Sequence, residues 1–384
     1  MNNELTVNIK NPKKLVLANQ ALLCIFIILS PIYKCLDFLT VMGFNIITVV
    51  SALLILTYIL MLPNLLQTKQ KRFLSFLIFT VFIVELYIQR SDINIGLMLT
   101  VFLFISFLQT DINIELEKLY MSFLISSIFA AIFSVFFGFT GGAITRVATI
   151  IDGSIAPISL AVALFVNPNE LNIIQKKWDI LKYLSIFSVF VVLIFGMSRA
   201  RILIVGIMFG IYIISRIMRI LKNGVFTSKG YLIVIITILV AIVLFLTVDF
   251  KTVFAPILAR FEDGFESEGR DIETAFALNL FSNHKIFGVG WGDFFLTDTG
   301  GSIVTYNNHN WYVAILTRGG YLFAIPVFVT LLNFLFKSLR IIKISMFELI
   351  ATVIVLALSY GNAGVFNYTI SSVIPLIVIN IKRR

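Results

Sequence analysis

The chain has 384 residues, 59% hydrophobic and only 13% charged, with a formal net charge of +10 at pH 7 and a mean hydropathy of +1.00. Soluble proteins average about 45 to 50% apolar and about 25% charged residues, so this composition excludes a soluble protein and describes an integral membrane one. A length that could hold two or three soluble domains is better counted here in spans of about 20 residues each.

The N-terminal 33 residues place basic side chains before an apolar run and show no small-residue cleavage site. That pattern reads as a retained first span rather than a signal peptide. Continuous apolar runs then mark spans at 15–33, 41–62, 73–88, 94–110, 119–139, 150–167, 181–197, 202–218, 231–248, 311–336, 344–361 and 365–381. The expected fold is therefore an all-α polytopic membrane protein of about twelve transmembrane helices, with residues 1–384 forming a single membrane domain. Cys24 and Cys35 are eleven positions apart, in and just beyond the first apolar run. Their placement suits neither a disulfide nor a metal site.

The sixth span is the weakest, because Asp152, Gly153 and Pro157 interrupt it. Basic residues check the parity, since short cytoplasmic loops are enriched in Lys and Arg. With both termini cytoplasmic, twenty of the thirty Lys and Arg fall inside, nine fall outside and Arg318 lies within a span. Deleting the sixth span would move ten cytoplasmic basic residues from Arg216 onward outside and the loop at 249–310 inside, against that bias. The positive charge is thus a topology signal, and no nucleic-acid partner is needed to explain it. One extracytoplasmic loop, residues 249–310, is 62 residues long. Connections of that length are functional or disordered, and its aromatic residues and mixed charges predict order. Residues 269–281 read as a short amphipathic helix with Ile272, Phe276 and Leu280 on one face.

Ser198-Arg199-Ala200-Arg201 joins the seventh and eighth spans with no room for a loop. Ser198 is a candidate N-cap, which would aim free N–H groups and the positive helix end at the same place as two guanidinium groups. Such a corner suits an anion, phosphate above all. The alternative is that the arginines snorkel to lipid headgroups. Arg270 and Arg260 stand among Glu262, Asp263, Glu266, Glu268 and Asp271, where salt bridges within the loop are the commoner explanation. Arg146 is a further outer arginine beside Gly141 and Gly142. Both histidines, His284 and His309, fall outside. Asn308 could cap the tenth span, leaving His309 in its first turn, where the helix dipole favours the neutral imidazole that can accept a proton; equally, His309 could simply bond the helix end. Gly288, Gly290 and Gly292 permit positive φ and close backbone approach, without the βαβ context of a dinucleotide site. Trp291 and Trp311 could stack on sugars, although Trp311 suits the interfacial aromatic belt.

Three fragments together resemble one family. FGMSRARILIVG at 195–206, GRDIETAFALNLFSNHKIFGVGWGDF at 269–294 and HNWYVAILTRGG at 309–320 are similar, in that order, to motifs of the O-antigen ligase and O-antigen polymerase superfamily of bacterial membrane glycosyltransferases. Lys285 and Arg318 depart from it, standing where proline and an acidic residue are common. The resemblance implies a multi-pass protein of the bacterial cytoplasmic membrane with an outward-facing site. There a glycan would move from undecaprenyl diphosphate to an acceptor hydroxyl.

By position, His309 would be the general base, Arg270 would assist catalysis, and Ser198, Arg199 and Arg201 would hold the diphosphate. Arg146, His284, Gly290, Trp291 and Asn310 are candidates for glycan or acceptor contacts. The outer face has no DxD motif and no His/Cys cluster, so a metal-independent reaction without cofactors is expected, with inversion at the anomeric carbon implied by the family. The implied partners are undecaprenyl diphosphate-linked oligosaccharides, membrane lipids, a flippase and a chain-length regulator. A polymerase is the leading expectation, a ligase the nearest rival and a lipid-linked oligosaccharide flippase the third.

Overall fold

A computed structural model describes residues 12–36, 40–41, 44–65, 80, 83, 115–140, 143–144, 147, 151–168, 175–196, 198–223, 268–290, 294–297, 303–306 and 310–340. Within these the fold is helical, with three small antiparallel hairpins in connecting segments. In chain order come α1 (Pro12–Leu29), a 3-10 turn (Ser30–Leu36), the β1–β2 hairpin (Thr40–Val41, Phe44–Asn45), α2 (Ile46–Leu65) and α3 (Leu116–Gly138). The β3–β4 hairpin follows (Phe139–Thr140, Ala143–Ile144), then α4 (Ile155–Phe165), α5 (Gln175–Gly196), α6 (Arg199–Asn223) and α7 (Glu268–Asn283). The β5–β6 hairpin (Phe294–Thr297, Ile303–Tyr306) and α8 (Trp311–Arg340) complete the described chain. The spans expected at 73–88, 94–110, 231–248, 344–361 and 365–381 lie outside the described residues.

Among the described residues four stretches are long and apolar enough to cross a membrane: Leu15–Leu36, Leu116–Gly138, Gln175–Gly196 and Tyr312–Val329. Their outward and inward faces differ in kind. Phe129, Ile132 and Phe136 of α3, Tyr183, Phe187 and Phe190 of α5, and Ile325, Val329 and Leu332 of α8 are all exposed. The spacings of three and four put each set on one side of its helix, and apolar stripes left open on this scale suit lipid rather than water. The opposite side of α3 carries Ser122, Ser126, Ala130 and Ser134, all buried at four-residue intervals. Small residues allow close helix approach in a bilayer, and their hydroxyls bond across helices. Ser126 donates to the Ile27 carbonyl at 2.8 Å, Ser127 and Ser185 share a hydrogen bond of 2.8 Å, and Ser159 donates to the Phe123 carbonyl at 2.7 Å. Between α1 and α2 the Asn19 amide donates to Thr57 at 2.7 Å. Cys24 and Cys35 are both free thiols.

The sixth expected span is shorter than the sequence suggested. Residues 150–167 were expected to form it, whereas the helix is Ile155–Phe165, 11 residues, about 16 Å at the α-helical rise against a hydrocarbon core of about 30 Å. Asp152 and Gly153 lie in the turn before it, and Pro157 falls in its first turn, where a missing N–H costs no bond. Every residue from Ile155 to Ala163 is buried, so α4 is a core helix walled by its neighbours. A helix is present where an amphipathic one was expected, as α7, but its fully buried residue is Ala277, while Phe276 and Leu280 of the expected apolar face are only partly buried and Leu278 is exposed. The hairpins were not anticipated.

The ends of α1, α3 and α5 meet the starts of α4 and α6 at one corner. The Asp152 N–H donates to the Pro31 carbonyl at 2.8 Å, and the Val147 N–H to the Phe195 carbonyl at 3.1 Å. At Gly138 the Phe195 ring lies so close that a β-carbon would collide with it, reaching 2.7 Å from Cε1. Gly138→Val is therefore expected to destabilise the protein by about 1 to 3 kcal/mol through overpacking, read as a lower melting temperature in detergent. Gly206→Ala, where an added β-carbon meets nothing within 4 Å, is expected to leave that temperature unchanged or slightly raised.

Candidate active site

The residues singled out by sequence fall into two described clusters and a set outside the described residues. His309, Arg146 and Trp291 belong to the last set. Arg199 and Arg270 are placed by their backbone alone, as the first residue of α6 and the third of α7.

The first cluster is the corner at the start of α6. Ser198 occupies the N-cap position, its carbonyl accepting the Ile202 N–H at 3.0 Å. Arg201 lies about 200° around the helix from Arg199. It is buried, with 9% relative exposure, and its Nη2 donates to Oδ1 of Asp152 at 3.1 Å and to Oγ of Ser154 at 3.3 Å. The corner is thus not a pair of solvent-facing arginines, because one of them is held by an acid from the turn before α4. Sequence reasoning did not pair Asp152 with it, although an acid in an apolar run was itself a signal. Val147 is tied to the same corner, its N–H donating to the Phe195 carbonyl.

The second cluster joins the glycine turn to α8. Asn310 caps that helix: its Oδ1 accepts the N–H of Tyr312 at 3.1 Å and of Val313 at 3.4 Å. This corrects the expectation that Asn308 is the cap and His309 a first-turn residue. The helix starts at Trp311, so position 309 is not part of its first turn. Gly288 and Gly290 adopt φ of 68° and 105°, and Gly320, inside α8, has φ 58°. At Gly320 the helix is broken, with ψ −168°.

A broken helix frees carbonyls on one side of the break and N–H groups on the other, and in a bilayer each needs a partner. The segment after α7 supplies them. The N–H groups of Val289 and Gly290 donate to the carbonyls of Thr317 and Arg318 at 2.8 and 2.9 Å. In return, the carbonyls of Lys285 and Ile286 accept the N–H groups of Tyr321 and Leu322 at 2.8 and 3.2 Å. The backbones approach so closely that a β-carbon at Gly288 would strike the Arg318 carbonyl, and one at Gly320 the Ile286 carbonyl.

Arg318, whose partner the sequence did not reveal, is buried with 8% exposure, and its Nη1 donates to the Gly290 carbonyl at 3.4 Å. Thr317 Oγ1 donates to the Ala277 carbonyl of α7 at 3.2 Å, and the Phe281 and Tyr321 rings meet edge to face at 5.1 Å. His284 closes α7, exposed, with its carbonyl accepting the Gly288 N–H at 2.9 Å. The Gly319-Gly320 dipeptide was the available signal for the break.

Both clusters rest on one apolar core, the first through α3 to α6 and the second through Ile315, Phe323 and Val327 of α8. Among the described residues no group of three or more His, Cys, Asp or Glu could hold a metal ion.

Residues 184–321 match the O-antigen ligase family model. The matched segment encloses all three fragments on which the sequence resemblance rested, at 195–206, 269–294 and 309–320, and it runs from α5 to the break in α8. Over this segment the resemblance to the O-antigen ligase and polymerase superfamily expected from the sequence is borne out. No curated protein matches the chain. Asp152, the partner of Arg201, lies before the segment.

Because Gly320 needs positive φ and has no space for a side chain, Gly320→Ala is expected to loosen the junction. Hydrogen exchange checks this: the amides of Val289, Gly290, Tyr321 and Leu322 should be protected in the native protein. In the variant they should exchange at least about tenfold faster, equivalent to about 1.4 kcal/mol of local stability.

Proposed function

We propose that the protein is a polysaccharide polymerase of the bacterial cytoplasmic membrane, moving a glycan from undecaprenyl diphosphate to the hydroxyl of a lipid-linked repeat unit on the outer side. The observation that carries this reading is the family match at 184–321, which encloses the arginine turn, the loop arginine and the histidine motif in order. In the proposed site the Ser198–Arg201 corner forms one wall and the junction of the glycine turn with α8 the other. His309 takes the acceptor proton. The hydroxyl oxygen attacks the anomeric carbon opposite the diphosphate, which leaves with inversion.

Negative charge then develops on the leaving diphosphate. Arg199, Arg201 and Arg270, with the free N–H groups at the start of α6, stabilise it. One such preorganised donor is typically worth about 10²- to 10³-fold in rate. Fixed arginines take the place of a divalent metal in this scheme, and no cofactor takes part. Arg146, His284, Gly290, Trp291 and Asn310 would line the path of the glycan or the acceptor. The same family match is compatible with a second reading, a ligase that delivers the finished chain to lipid A core or another terminal acceptor.

Reconstitution with undecaprenyl diphosphate-linked repeat units tests the proposal. A ladder of elongated products is expected without lipid A core. Its absence, with transfer restored on adding core, would favour the ligase. His309→Ala and Arg270→Ala are each expected to lower elongation by about 10²-fold or more; full elongation by both would overturn the mechanism. Chelation of divalent cations is expected to leave the rate unchanged.

A further inference from the structure

The turn at residues 152–154 precedes the matched segment and takes no part in the chemistry above, yet it is built around Arg201. The side chains of Asp152 and Arg201 are 8% and 11% exposed. Oδ1 of Asp152 accepts Nη2 of Arg201 at 3.1 Å and the N–H of Ser154 at 3.0 Å. The Asp152 N–H is in turn anchored on the Pro31 carbonyl. Oγ of Ser154 takes the same Nη2 at 3.3 Å. Between them Gly153 leaves room for the guanidinium, since a β-carbon there would stand 2.8 Å from Nη1. Three consecutive residues thus make a seat for one end of Arg201, fixed from beneath by the end of α1.

The seat engages one nitrogen of the three. A guanidinium carries five N–H donors, and among the described residues the buried Nε–H of Arg201 has no partner, nor has Oδ2 of Asp152. A simple structural ion pair would use the carboxylate and guanidinium edges together, in the bidentate fork that gives such pairs most of their strength. Here the pair holds the arginine while leaving donors unused. The carboxylate also offsets part of the cost of burying the guanidinium charge.

We propose that Asp152 is a positioning residue for the lipid diphosphate, acting through Arg201. Its carboxylate presets the guanidinium through Nη2 so that the Nη1 donors meet a phosphate oxygen without rearrangement. This rests on the functional reading above, and it extends the site to a turn that the family match does not reach.

The test is binding of undecaprenyl diphosphate to the full chain in lipid nanodiscs, with melting temperature measured in parallel. Asp152→Asn is expected to weaken binding about tenfold, the worth of a hydrogen bond to a charged group, and Asp152→Glu to recover part of the loss. Gly153→Ala, which keeps both charges and displaces the guanidinium, is expected to weaken binding similarly and serves if Asp152→Asn folds poorly. In an Arg201→Met background neither change should weaken binding further. Native affinity in both Asp152→Asn and Gly153→Ala, or an undiminished effect in the Arg201→Met background, would overturn the role of Asp152 and leave the functional reading standing. If the native protein itself bound no undecaprenyl diphosphate, both would fall.

Discussion

A helix inside a bilayer cannot leave backbone groups without partners, and the break of α8 at Gly320 is organised by that constraint. With no water to accept them, each unsatisfied N–H or carbonyl costs several kcal/mol. The break survives because the segment from Lys285 to Gly290 supplies two acceptors and two donors across it. Gly288 and Gly320 are glycines because nothing larger fits between the two backbones. The Arg318 guanidinium, on the Gly290 carbonyl, adds a charged group to the same junction. Through this interlock α7, the glycine turn and the start of α8 hold a common position.

The corner at Arg201 follows the same logic with charge in place of backbone. Desolvating a guanidinium is costly, and stripping one partner from a buried pair costs about 3 to 5 kcal/mol. The Asp152-Gly153-Ser154 turn offsets that cost and fixes the helix ends around it. The hydroxyls of Ser126, Ser127, Ser159 and Ser185 do the corresponding work between the helices. Each such bond is worth about 0.6 kcal/mol in a membrane, so close packing of small residues carries most of the association.

Hydropathy alone located α1, α2, α3, α5, α6 and α8, because an apolar run of about 20 residues has few alternatives to a spanning helix. The same reasoning overextended the sixth span. Asp152 and Gly153 looked like flaws in a transmembrane helix, whereas they form the turn that precedes a short buried one. Apolar content measures burial and lipid contact alike, and α4 is buried by protein rather than lipid. The β5–β6 hairpin was missed for a different reason: its strands, Phe294–Thr297 and Ile303–Tyr306, were treated only as part of a long loop. For the site, the order of the motifs and the positive φ at Gly288 and Gly290 were legible. The cap at Asn310 was misplaced by two residues, since Asn308 and Asn310 are equally good caps in isolation.

By itself the sequence determined a polytopic membrane protein, the positions of its apolar helices, and the superfamily to which residues 184–321 are matched. These depend on local composition and on spacing along the chain. Only the tertiary structure decided that Arg201 is seated on Asp152, 49 residues earlier, that α8 is broken, and that Arg318 reaches Gly290, 28 residues away. Each of those pairings satisfies a buried charge or backbone group across distant segments. Which partner does so depends on how the helices pack, a matter on which the residues at either end carry no local mark.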